Sequence, residues 1–229
     1  MRGGRGGGRH RRSRRGRVAA DHATKSERTL LVAWLLSAPG PVVTAIAVAM
    51  SSSATQIADA IRRTVEFAAL VTGWWVFRAR KGVPDEQARG RLERRAETSV
   101  SVALACSGLA MLAVGGYRFF EYEPGGNVTV GLLVAFLGAG VNAGFWLRYT
   151  RLLRVAGDAV IAAQRRLYRA KTFVDLVVTA ALLSVALIPT HPATHYVDTL
   201  GSVVVAGYLL QQALGSRRAG AARLRVGRG

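Results

Sequence analysis

The sequence predicts an all-α integral membrane protein built as a six-transmembrane-helix bundle, and three observations carry that prediction. Half of the 229 residues are hydrophobic (50%), yet the formal net charge is +19. A mean hydropathy of +0.22 beside a pI of about 11.6 fits a soluble globular domain poorly and a membrane protein with basic flanks well. Second, apolar runs long enough to cross a ~30 Å hydrocarbon core, which needs about 20 helical residues, recur along the chain. Third, nearly all Lys and Arg fall in segments that six crossings place on one face.

Taken in order, the first span runs from Thr29 to Met50. Within it "SAPGPVV" brings Pro39, Gly40 and Pro41 together, which should kink or break the helix near mid-membrane. The second span, Ala54 to Phe77, is apolar except for Asp59, Arg62, Arg63 and Glu66. The third, Thr98 to Tyr117, contains Cys106, the chain's one cysteine, so no intramolecular disulfide can form. That cysteine reads as a small buried apolar residue. The fourth, Val128 to Leu147, carries Gly140 and Gly144 at small-xxx-small spacing with Asn142 between them, a pattern that favours close helix contact. The fifth runs from Thr172 to Ile188, and the sixth from Val197 to Leu214 with Asp198 near its start. Polar loops are expected between Phe77 and Thr98 and from Arg148 to about Arg169.

Short cytoplasmic loops retain an excess of Lys and Arg. With six spans one face receives both tails and the loops "RARKGVPDEQARGRLERR" and "RYTRLLRVAGDAVIAAQRRLYRAK", while Arg118 is the lone cation of the other face. Both termini are therefore expected in the cytoplasm. Without the charged second span the basic loops would fall on opposite sides, so the charge pattern argues for it independently. Residues 1–28 read as a disordered Arg/Gly-rich cytoplasmic tail, 29–216 as the transmembrane domain and 217–229 as a short basic tail. "MRGGRGGGRHRRSRRGR" has Arg-Gly-Gly elements of the kind seen in RNA-binding tails, but a polybasic segment beside an anionic membrane explains the same residues. No stacking aromatic accompanies it, so lipid rather than nucleic acid is the expected partner.

Ionisable groups inside a membrane cost several kcal/mol each when unpaired and so face the bundle interior beside partners. Arg62 and Glu66 on the second span, and Lys171 and Asp175 near the start of the fifth, are spaced i, i+4, which puts each pair on one helix face. At 1.5 Å rise per residue, Glu66 lies roughly 18 Å and Asp175 roughly 21 Å from the outer ends of their spans. They share a level. The spans run in opposite directions, so pairing Arg62 with Asp175 and Glu66 with Lys171 would neutralise all four charges. Asp59, Asn142 and Asp198 are secondary polar candidates.

These features resemble the membrane domain of the cation diffusion facilitators, the cation efflux family. "SSSATQIADAIRRTVEF" is similar to that family's second span, "GRLERRAE" to its Gly-Arg/Lys-x-Glu stretch entering the third, and "VDTLGSVVVAGYLLQQAL" to its sixth, over roughly Thr29 to Ser216. The resemblance implies a dimeric transporter that exports divalent metals such as zinc in exchange for protons, using Asp or His pairs on spans two and five. Here those positions are Arg62, Glu66, Lys171 and Asp175. Neither Arg nor a charged Lys can ligate zinc, so a membrane-embedded metal site is not expected and the substrate is expected to be a cation or proton other than ordinary zinc. The family's cytoplasmic metal-binding domain is not expected either, since "GSRRAGAARLRVGRG" is too short to fold alone.

Two readings from different classes follow: a multi-pass cation-efflux-type transporter in the cell membrane, or a non-transporting scaffold of the same fold whose site is locked by ion pairs. A tether for nucleic acid through the Arg-Gly tail is a remoter third. His191 and His195 are spaced i, i+4, but Pro189 and Pro192 oppose the helix that would make them a metal pair. No G-x-x-x-x-G-K-[ST], H-E-x-x-H, G-x-S-x-G or C-x-x-C occurs, so no enzymatic activity and no cofactor are expected.

Overall fold

The computed structural model of the chain describes residues 7–51, 54–120, 128–187 and 200–215. Among them all regular structure is helical: α1 (Gly7–Ser37), α2 (Pro39–Ser51), α3 (Ala54–Ala79), a 3-10 turn at Arg80–Gly82, α4 (Glu86–Phe120), α5 (Val128–Ala156) and α6 (Ala159–Leu187). A last helix, α7, covers Leu200–Gly215.

The break expected at Pro39-Gly40-Pro41 separates α1 from α2. Proline has no N–H to return to the preceding turn but suits the first turn of a new helix. Ala38 N still reaches Leu35 O at 3.3 Å, so the end of α1 tightens before the chain restarts. At its other end α1 starts at Gly7, so residues 7–28, expected as a disordered tail, continue the helix. Arg and Ala favour helix, and propagation adds one hydrogen bond per residue once a nucleus exists.

The two polar loops are shorter than expected because hydropathy marks where an apolar surface ends, whereas capping groups mark where a helix ends. Asp85 starts α4: its Oδ1 accepts from Gln87 N and its Oδ2 from Ala88 N, both at 3.0 Å, twelve or so residues before the apolar run. Between α5 and α6 the expected loop from Arg148 to Arg169 reduces to Gly157 and Asp158. Gly157 takes φ +62°, the left-handed closing position that glycine adopts without strain. Asp158 Oδ1 then accepts from Val160 N at 2.9 Å and Ile161 N at 3.2 Å to begin α6.

In the packing α3 runs along α4 and α5 along α6, with α1 and α2 against α3 and α4 against α6. Gly73 admits the side chain of Gln164, with which any Cβ would collide; Gln164 Nε2 donates to Ala69 O at 3.1 Å, stitching α6 to α3. On α7, Tyr208 stacks on Phe173 at 4.3 Å between centroids, and Leu210 and Ser202 sit against Gly108 and Gly115 of α4. The contact expected of Gly140 and Gly144 is not made among the described residues: no atom of them lies within 4 Å of a Cβ at either position. Their spacing places them on one face of α5, but the neighbouring helix packs elsewhere.

The core is mainly apolar, but the outer surface carries many large apolar side chains as well. Val42, Ile46, Leu109, Phe136, Leu176 and Val204 are exposed, while Glu66, Ser107, Gln164 and Thr172 are buried. Large apolar side chains facing outward need a non-aqueous neighbour. By length and hydropathy, α4 over Glu86–Tyr117 is the long helix among the described residues apolar enough to cross a membrane, with mean hydropathy 1.8; α7 is apolar but shorter. Arg62, Arg63 and Glu66 interrupt the apolar course of α3.

At the polar end of the bundle Arg80 ties three elements. It bonds Glu93 of α4 at 3.0 Å and Asp158 at the α5–α6 junction. Its guanidinium also lies over Phe77, 4.5 Å from the ring centroid. Lys81 pairs with Glu27 of α1.

Candidate functional site

The site begins with helix periodicity: Arg62 and Glu66 lie on one face of α3, Lys171 and Asp175 on one face of α6. Gly73 and Gln164 hold α3 against α6, so the two faces meet. Lys171 Nζ stands 3.3 Å from Glu66 Oε2. Arg62 Nη1 is 4.0 Å from Glu66 Oε1 along the same helix. Glu66 is 5% exposed, so these are contacts of a carboxylate removed from water, where unit charges interact far more strongly than at a surface.

Two further helices complete the cluster. Ser107 of α4 is fully buried, and its Oγ donates to Glu66 Oε1 at 3.5 Å. Asn142 of α5 donates from Nδ2 to Asp175 Oδ2 at 2.6 Å. Gly138, one turn before Asn142, leaves room for that carboxylate: a Cβ there would lie 3.2 Å from Asp175 Oδ2. Asp175 lies within electrostatic reach of Arg62, Glu66 and Lys171. The Lys171 ammonium also sits 5.5 Å from the centroid of the Tyr168 ring, and Tyr168 stacks in turn with Phe145 and Tyr149.

All four charged residues singled out in the sequence thus converge, and the anticipated cross-helix contact of Glu66 with Lys171 is direct. Asn142 is brought in as the hydrogen-bond partner of Asp175, a pairing the sequence reading did not make. Ser107 was missed. Its only mark in the sequence is a hydroxyl inside the apolar run "SVALACSGLAMLAVGG", next to Cys106, which is half-buried. Asp59 belongs to α3, but its side chain is outside the described set; Asp198, His191 and His195 lie outside the described residues altogether. Among the described residues no three His, Cys, Asp or Glu side chains gather as metal ligands.

Chemically the cluster is a carboxylate flanked by two cations and a second carboxylate held by an amide, with formal charges that cancel. Glu66 and Asp175 can bind or release a proton. Lys171 holds positive charge beside the acceptor oxygens that an incoming cation would use.

The cation efflux transmembrane domain family matches residues 30–224 of the chain, a span that includes every residue of the cluster. No curated protein matches the chain.

Proposed function

Because the chain belongs to the cation efflux family and is a membrane protein of the cation-transporter kind, we propose that it is a six-span transporter with both termini cytoplasmic. Its substrate path passes between α3 and α6, and its substrate is a cation or proton other than ordinary zinc. The observation that carries this reading is the Lys171 ammonium, 3.3 Å from buried Glu66. It supplies from within the chain the positive charge that a bound metal would bring. At ~4 Å two like unit charges repel by roughly 4 kcal/mol at an effective dielectric of 20, and a dication faces about twice that from Lys171 alone. A proton or a monovalent cation that displaces the ammonium carries a smaller penalty, and Glu66 or Asp175 then exchanges protons as the bundle alternates between inward and outward states.

The test is transport by the purified chain in proteoliposomes, screened over divalent metals, protons and small organic cations. A proton or monovalent-cation flux abolished by Glu66→Gln is expected. Zinc flux with the same dependence on Glu66 would refute the charge argument. The Glu66–Lys171 contact equally favours a second reading, a scaffold in which the ion pair locks α3 to α6; that reading predicts no flux for any substrate in the screen. Topology is tested with single cysteines at Gly82 and Gly125 in a Cys106→Ala background. An impermeant external reagent should label Gly125→Cys and spare Gly82→Cys, and the reverse pattern would sink the six-span arrangement.

A further inference from the structure

A groove of about 470 Å³ runs between α3 and α4. Its α3 wall is Val65, Ala68, Ala69 and Thr72, and its α4 wall ends in Val102 and Ala103, both at the i, i+3, i+4 spacing of one helix face. Along that same face of α4, toward the polar end of the bundle, the lining changes to Arg91, Arg94 and Arg95. The groove is therefore apolar along its length and cationic at its mouth.

Of the three wall hydroxyls, Thr98 is exposed and the other two turn back to their own helices. Thr72 Oγ1 donates to Ala68 O at 2.8 Å and Ser99 Oγ to Ala96 O at 2.9 Å, so each is satisfied by its own helix. At the mouth Arg91 reaches Asp85 at 3.9 Å, in a largely exposed pair. Arg94 and Arg95 have no ion-pair partner among the described residues. From Arg91 to Ala103 the helical rise gives roughly 18 Å, close to half of a ~30 Å hydrocarbon core.

We propose that this groove is a binding site for an anionic phospholipid, with one acyl chain lying along the apolar faces of α3 and α4 and the headgroup phosphate held by Arg94, Arg95 and Arg91. Charge complementarity selects an anion, guanidinium forks match phosphate oxygens, and the apolar length matches one leaflet. The inference rests on the membrane reading and on the basic end of α4 lying at a membrane surface; it does not depend on transport. Anionic lipids of the cytoplasmic leaflet meet basic residues at that depth.

Native mass spectrometry of the full chain in detergent tests this with phosphatidylglycerol and phosphatidylcholine of identical acyl chains, and with glycerol phosphate as the chainless headgroup. Phosphatidylglycerol should bind at least tenfold more tightly than phosphatidylcholine, and raising salt should reduce that preference in the unmodified protein. Arg94→Gln with Arg95→Gln should remove the preference. Ala68→Phe, which fills the groove from an exposed position, should weaken both lipids. Equal binding of the two lipids by the unmodified protein overturns the proposal without needing any variant. So does glycerol phosphate competing at the concentration of the lipid, which makes the site one for free phosphate. Efficient crosslinking of two chains through Ala68→Cys in a Cys106→Ala background would assign the face to a second copy instead. Each readout is independent of flux, so failure here leaves the transport reading standing.

Discussion

The charged cluster between α3 and α6 and the ionic junction at Arg80 use similar residue types to different ends. At the junction one cation serves two carboxylates, Glu93 at 3.0 Å and Asp158, and Asp158 caps α6 through two backbone N–H groups as well. Of the two carboxylates, Asp158 also fixes a helix end. In the cluster two cations meet two carboxylates at looser separations, 3.3 Å for Lys171 and 4.0 Å for Arg62 around Glu66. Neutral Ser107 and Asn142 add polar contacts. The junction behaves as a clasp of the fold. The cluster holds charge where it costs most and caps nothing.

Breaking the cluster should have the largest effect. Glu66→Leu leaves Lys171 without the carboxylate 3.3 Å away and should cost about 3–5 kcal/mol, the range for orphaning a buried charge. Lys171→Leu should cost a similar amount. The double variant should recover most of either loss, read as thermal stability in detergent. Strictly additive losses would mean that the 3.3 Å contact carries no coupling, and the contrast with the clasp would collapse.

A smaller loss is expected at the junction, divided between two chemical parts. Asp158→Ala removes the cap and the partner of Arg80 together, whereas Asp158→Asn keeps a capping oxygen and removes the charge. A cap alone is worth about 1 kcal/mol, so Asn should restore roughly that much of the Ala loss while leaving flux through the cluster unchanged. If Asn and Ala destabilise equally, the junction acts through charge alone.

The smallest effect belongs to Asp21 and Lys25 on α1. Their contact, 2.7 Å, is shorter than the 4.0 Å of Arg62 and Glu66 at the same i, i+4 spacing. The Lys25 hydrogen bond pulls the Asp21 carboxyl below its ordinary value, but both side chains are mostly exposed and solvent screens the pair. Asp21→Asn should leave the melting temperature unchanged. A measurable drop would show that separation, rather than burial, ranks the ion pairs of this protein.

By itself the sequence determined where helices lie and which residues are charged within apolar surroundings, because both are local properties. The i, i+4 spacing puts Arg62 with Glu66 and Lys171 with Asp175 whatever surrounds them, and Pro39-Gly40-Pro41 breaks a helix without help from any neighbour. Helix ends were less legible. Asp85, Gly157 and Asp158 carry capping signals in the sequence, but hydropathy hid them because α4, α5 and α6 extend well past their apolar runs. What only the tertiary structure decided is which residues meet across helices. Ser107 reaches Glu66, Asn142 reaches Asp175, and Gly140 and Gly144 face outward despite their spacing. A helix face is set by a 100° rotation per residue, while its neighbour depends on packing of the whole bundle, including the fit of Gln164 over Gly73, and no periodicity within one segment encodes that choice.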